Sequence, residues 1–268
     1  MVFSVRDAAE PGLSSFDEAQ GLLSPEDGPP VEVVNPQGPS KILLVCEHAS
    51  KRLPLALGTL GLDAEELESH IAWDPGAAAV AKGLAARLDA TLVLQRFSRL
   101  AQDCNRPPEA EDAMPARSEA YEIPGNRDLT AAARQARSAA IYVPFHDRIT
   151  ALLDDRQAQA PVLVTIHSFV PRYLGRQRSV ELGILHDRDS RLADALLAGA
   201  LKGLDIRRNQ PYGPEDGVTH SLQRHALPRG LLNVMIEIRS DLIPDDGSQA
   251  VMAERLAAWL TQALGEIG

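Results

Sequence analysis

Short, mainly apolar runs recur along the chain at Ile42–Cys46, Ala90–Leu94, Val162–Ile166, Val180–Leu185 and Leu231–Ile238. They are brief, rich in β-branched residues and bounded by polar or turn-forming residues, so they predict strands. Ile42–Cys46 is apolar throughout, the pattern of a strand buried on both faces. Between the runs, apolar residues fall at helical spacing. The pattern predicts a short helix over 63–70 with Asp63 as its cap, and a second over 77–88 with Asp74 and Pro75 at its start. Further helices are predicted over about 130–156, capped by Asp128 or Thr130 and bent or interrupted at Pro144, then 191–204, 221–225, and 246 or 248 to 264. Val31–Val34 reads as an edge strand and Ile206 as the start of another. Strands alternating with helices predict one α/β domain, a sandwich whose mostly parallel central sheet is flanked by helices. That domain spans residues 31–268. Residues 1–30, dominated by Pro, Gly, Ser, Asp and Glu, read as an N-terminal arm, draped on the domain or partly disordered.

In an open α/β sheet, ligands gather outside the carboxyl ends of the strands. Here those ends are chemically loaded. The first run closes on Glu47 and His48, the third on His167 and Ser168, and the last carries Glu237 and Arg239. The second leads into Arg99, Asp103, Asn105 and Arg106, with Pro107 and Pro108 stiffening the loop. Arginine's planar fork matches a carboxylate, so this loop suits an anion clamp; the plainer reading is a surface salt-bridge loop. Asp74 reads either as a helix cap or as a carboxylate ligand. Glu237, between Ile236 and Ile238, is costly to bury unless it is paired or functional. His146, beside Pro144, reads more readily as structural.

Composition narrows the field. Aromatics are only 4% of the chain, so the core must be aliphatic. A net charge of −10 argues against nucleic acid and anionic membranes as partners, yet leaves room for a small anionic substrate at a local arginine cluster. Two cysteines, Cys46 and Cys104, both within motif-like stretches, read as reduced thiols. With no signal-peptide pattern and no apolar run near eighteen residues, the expected location is cytoplasmic.

Two histidines and a carboxylate form the ligand set of a catalytic zinc with an open position for water, and a further buried glutamate can serve as general base. That combination suits amide hydrolysis. No Gly-x-Ser-x-Gly elbow, phosphate-binding glycine loop, His-Glu-x-x-His or Cys-x-x-Cys competes with it.

The runs Leu44–Ser50, His70–Ala77, Ser98–Leu100 through Asp103–Pro108, Pro144–His146, Ile166–Phe169 and Ile236–Leu242 resemble, in order, the N-formylglutamate amidohydrolase family. The resemblance implies a zinc-dependent exopeptidase-like fold, remotely similar to metallocarboxypeptidases and aspartoacylase-type deacylases. It implies His48 and His167 as metal ligands, Asn105 and Arg106 as the substrate-carboxylate clamp with Arg99 and Arg239 alongside, and Glu237 as the base. Those remote relatives take a carboxylate ligand three residues after the first histidine, where this chain has Lys51. Asp74 or Glu47 must replace it, and Asp74 is favoured because Glu47 would have to bend back beside His48. The expected substrate is N-formyl-L-glutamate or a similar N-acyl amino acid, with zinc as cofactor. The alternatives are a deacylase or carboxypeptidase with another substrate, or a carboxylate-binding protein that has lost the metal.

Overall fold

The computed structural model describes residues 21–267, so residues 1–20 of the expected arm lie outside the described residues. Seven strands form the central sheet: β1 (Val31–Val34), β2 (Ile42–Cys46), β3 (Thr91–Gln95), β4 (Val162–Phe169), β5 (Leu182–Leu185), β6 (Ile206–Arg208) and β7 (Asn233–Arg239). Their order across the sheet is β1-β3-β2-β4-β7-β5-β6. The inner strands β3, β2, β4 and β7 run parallel. β1 pairs antiparallel with β3, and β5 antiparallel with β7, which makes the sheet mostly parallel with reversed margins.

Alternation along the inner strands divides the core. Leu44, Leu92, Val164 and Ile236 face helices α2 (Ala77–Leu88), α5 (Arg191–Ala198) and α6 (Asp246–Ile267), which follow α1 (Ala64–Glu68), α3 (Ala131–Arg137) and α4 (Val143–Asp155) in the naming. Leu43, Val45, Val93, Leu163 and Met235 face α4 and the Leu222–Ala226 turn. Each fully buried aliphatic contributes roughly 1.5–3 kcal/mol, so with few aromatics the core draws its stability from number. Trp259 of α6 is an exception in size, and its indole N–H donates to the Leu196 carbonyl on α5 at 2.9 Å, tying the two helices together.

Several element limits differ from the sequence pattern. α2 is capped by Gly76, whose φ of 82° is left-handed, and not by Asp74. The 130–156 segment is helical as expected, and its interruption falls just before Pro144. Thr130 caps α3, a π-type turn spans Ser138–Tyr142, and α4 begins beside Pro144, which cannot donate to the preceding turn. α5 stops at Ala198 because Gly199 follows, short of the residue 204 that its apolar spacing suggested. The described part of the expected arm packs on the domain. Leu22 is buried, and Asp27 accepts the Leu55 N–H at 2.9 Å. No helix among the described residues is long and apolar enough to cross a membrane.

Candidate active site

The site forms where β2, β4 and β7 end. The loop before α2 is fastened there by its own backbone: the Asp74 N–H donates to the His48 carbonyl at 3.0 Å. Ser98 Oγ donates to the Ala72 carbonyl at 2.7 Å, and Ser168 Oγ to the Pro75 carbonyl at 2.8 Å. Relieved of capping by Gly76, the Asp74 carboxylate points into the site. Its Oδ2 lies 3.3 Å from His48 Nδ1 and 2.9 Å from His167 Nδ1, and also accepts the Ser168 N–H.

Each imidazole has a second carboxylate behind it. His48 Nε2 lies 2.8 Å from Asp103 Oδ1. Asp103 is itself held by the Asn105 N–H at 2.7 Å and by Arg99 Nη2 at 2.9 Å. His167 Nε2 lies 3.0 Å from Glu47 Oε2, but out of line for a hydrogen bond. Glu47 therefore backs the second histidine and is not part of the His48–Asp74–His167 group. On the next strand, Glu237 occupies the same rung as His167, and its Oε2 has no hydrogen-bond partner.

Electrostatics follow from this crowding. Burial pushes the Asp74 carboxyl up, but the His48 charge and hydrogen bonds from both imidazoles outweigh it and hold Asp74 well down. Asp103 behaves likewise, against burial, through His48 and Arg99. His167 is raised well above its usual value, against burial, by Glu47 and Asp74. Glu237 is different: burial raises it, the His167 charge only partly opposes this, and it sits at about 7. A carboxyl near neutrality is the kind that both takes and returns a proton.

His48, Asp74 and His167 could hold a metal ion, with one donor atom from each lying within 4.8 Å of the others. The residues fit one. A tetrahedral ion with bonds of about 2.0–2.1 Å sets its donors roughly 3.3 Å apart, close to the spacing of the two Nδ1 atoms from Asp74 Oδ2. Glu47, Asp74, Asp103 and Glu237 are all buried, a costly grouping unless cations balance it. Arg99 supplies part of that balance, and a divalent ion would supply more.

A cavity of ≈ 390 Å³ opens over the group, walled by His48, Asp74, His167 and Glu237 and by Arg99, Asn105 and Arg106. The anticipated clamp residues are heavily engaged by the protein. Asn105 donates to the Val218 carbonyl and accepts the Ser221 N–H. Arg106 donates from Nε to Asp112 and from Nη1 to the Asn105 and Gly217 carbonyls, which leaves Nη2. Arg239 does not reach the cavity; Asp241, Glu181 and the carbonyls of the 178–180 loop occupy its guanidinium. His146 lies outside the cavity too, 2.7 Å from His225 and 2.9 Å from the Cys104 carbonyl. Both thiols are buried, and burial raises them well above the ordinary range, where they are inert. The sequence reading missed the supporting roles of Asp103 and Glu47, and it missed Tyr212, which lines the cavity from an irregular loop without a motif.

The model of the N-formylglutamate amidohydrolase family matches residues 40–244. Among solved structures, the chain is similar to a gene product of Agrobacterium tumefaciens at 59% identity, covering 92% of this chain and 99% of that one with a TM-score of 0.90. It shares its fold with the N-formylglutamate amidohydrolase of Ralstonia eutropha at 19% identity, covering 89% and 98% with a TM-score of 0.60. Among curated proteins, none matches the chain. The matched span contains every residue of the strand-end site, and the chain belongs to the N-formylglutamate amidohydrolase family.

Proposed function

We propose that this protein hydrolyses the amide bond of N-formyl-L-glutamate or a similar N-acyl amino acid, with a zinc ion held by His48, Asp74 and His167. The observation that carries the reading is Glu237, buried, raised to about 7 and set on the same rung as His167 at the floor of a cavity. The parallel strands around it are read as a zinc-exopeptidase-like frame. When bound, zinc would supply Lewis acidity toward the amide carbonyl and toward water.

The chain's own residues do the rest. Glu237 takes a proton from the attacking water as its oxygen bonds to the carbonyl carbon. It then returns that proton to the amide nitrogen as the carbon–nitrogen bond breaks, releasing the acid and the free amine. Asp103 and Glu47 orient the imidazoles of His48 and His167. Arg106 Nη2 is the donor left for the α-carboxylate of the substrate, and Arg99 keeps Asp103 in place. The expected outcome for Glu237→Gln is a loss of turnover on N-formyl-L-glutamate of at least about 100-fold, with metal content and thermal midpoint retained. Turnover near that of wild type would remove Glu237 from the mechanism.

A further inference from the structure

Residues 117–122 fold into a two-stranded hairpin that stands apart from the central sheet, Arg117–Ser118 pairing antiparallel with Tyr121–Glu122. Its footing is firm. Ile123 is fully buried against Leu60, Leu62, Ile71 and Leu100, with Tyr121 packed beside them, and the Ile123 N–H donates to the Ala116 carbonyl at 2.9 Å. The Asn126 amide donates to the Leu100 and Pro115 carbonyls at 2.9 Å, and Arg137 Nη1 donates to Asn126 Oδ1 at 2.6 Å.

The tip is held differently. Arg117, Ser118 and Glu119 line the cavity over the site, and so does His70, on the loop that leads to Asp74. His70 Nε2 lies 2.6 Å from Glu119 Oε1. Among the described residues this is the one side-chain hydrogen bond that ties residues 117–120 to anything outside the hairpin. Arg117 turns back on the Glu119 carbonyl and the Glu122 carboxylate. Both latch partners are partly shielded, their side chains 27% and 17% exposed. The backbone at Glu119 adds to this. Its φ of 53° is left-handed, a conformation that a long acidic side chain seldom adopts and that costs energy unless the surroundings hold it. His70 supplies that hold.

A short ribbon with a packed base, a strained tip and one bond to the facing wall has two arrangements open to it: latched, or swung away from His70 with the strain released. We propose that the 117–122 hairpin is a gate on the cavity and the His70–Glu119 pair its latch, which opens to admit substrate and to let both products leave. The inference rests on the hydrolase reading above for what passes the gate, though not for the motion itself. His70 and Glu119 then act on the reaction through access, and Glu237 keeps the proton transfer.

The test uses two variants. Glu119→Asn has a shorter side chain that suits a left-handed residue but falls short of His70, and His70→Asn removes the imidazole from the other side. In hydrogen–deuterium exchange, both are expected to speed exchange of the amides of residues 118–121 about 10-fold, the effect of losing one hydrogen bond to a charged group, while the amides of β4 and β7 keep wild-type rates. KM for N-formyl-L-glutamate should rise by a similar factor with kcat no lower. Bridging the double variant His70→Cys/Glu119→Cys with a short bis-thiosulfonate reagent should stop turnover until a reductant cleaves the link; Cys46 and Cys104 are buried, out of its reach. Exchange at wild-type rates in both single variants would overturn the proposal, as would undiminished turnover with the latch bridged. A fall in kcat with exchange unchanged would overturn it too, by making the pair part of the chemistry. A wild type inert on every N-formyl amino acid would instead defeat the hydrolase reading, and the exchange comparison would then decide the gate alone.

Discussion

Glu47 and His48 are adjacent, yet they serve different metal-ligand candidates: His48 faces Asp74, and Glu47 stands behind His167. Carboxylates behind ligating histidines fix ring orientation and raise basicity, and losing one typically costs about 10- to 100-fold in metal affinity. Glu47→Gln and Asp103→Asn are therefore expected to weaken binding of the proposed zinc by that order in competition with a chelator, a readout independent of turnover. Affinities equal to wild type would reduce both residues to packing. The histidines and Asp74 could be singled out from sequence because strand ends and a helix start advertise themselves. The backing carboxylates could not, because their role depends on which ring nitrogen each one meets. The free nitrogens of the arginines were equally hidden, since guanidinium engagement is settled by carbonyls far off in sequence, such as Gly217 for Arg106.

At the scale of elements, the inner strands were legible because apolar runs of this kind have few other uses, whereas the helix limits were not. Gly76 took over the cap of α2 because the sharp turn needs a left-handed residue, and a Cβ there would lie 2.7 Å from the Ile243 carbonyl oxygen. Freed of that task, Asp74 can serve the site. A second glycine matters at β5. Gly183 pairs with Glu237 across the sheet, and a Cβ on it would meet the Gln210 carbonyl oxygen at 2.1 Å and Glu237 Cβ at 3.1 Å. Gly183→Ala is expected to destabilise the fold by about 1–3 kcal/mol in denaturant melts and to lower kcat by displacing Glu237. A variant as stable and as active as wild type would show that β5 and the 210 loop yield without cost.

Across the whole molecule, acid should be the weakness. Behind the site, the buried His146 and His225 and the half-buried His220 lie close together, with Tyr142 2.7 Å from His220. Burial, then Arg224, holds His220 at about 4; burial, then Arg224 and Arg229, holds His225 at about 3; burial, then the other two imidazoles, holds His146 well below its usual value. An unfolded histidine titrates near 6.5. Above that pH neither state takes up protons at these rings and their full contribution to stability is present. From about 6.5 down towards 4 and 3 the unfolded chain gains protons that the folded one refuses, so stability falls. The thermal midpoint is expected to drop across that window, and His225→Leu to flatten the slope even where it lowers the midpoint at pH 8. An unaltered slope would place the acid sensitivity elsewhere.

The pairing of Glu237 with His167 carries one more consequence. The two side chains are neighbours because their strands are hydrogen-bonded in parallel register, so the gap between carboxyl and imidazole is ruled by the interstrand repeat of about 4.8 Å rather than by any loop. Loops around the cavity can lengthen or shorten while that interval stays the same. A slip of one residue between β4 and β7 would bring Ile236 or Ile238 opposite His167 and turn the carboxyl to the far side of the sheet. The geometry of the proposed site is thus gauged by backbone pairing, and the proposed chemistry depends on the alignment of two strands as much as on the identity of the residues they carry.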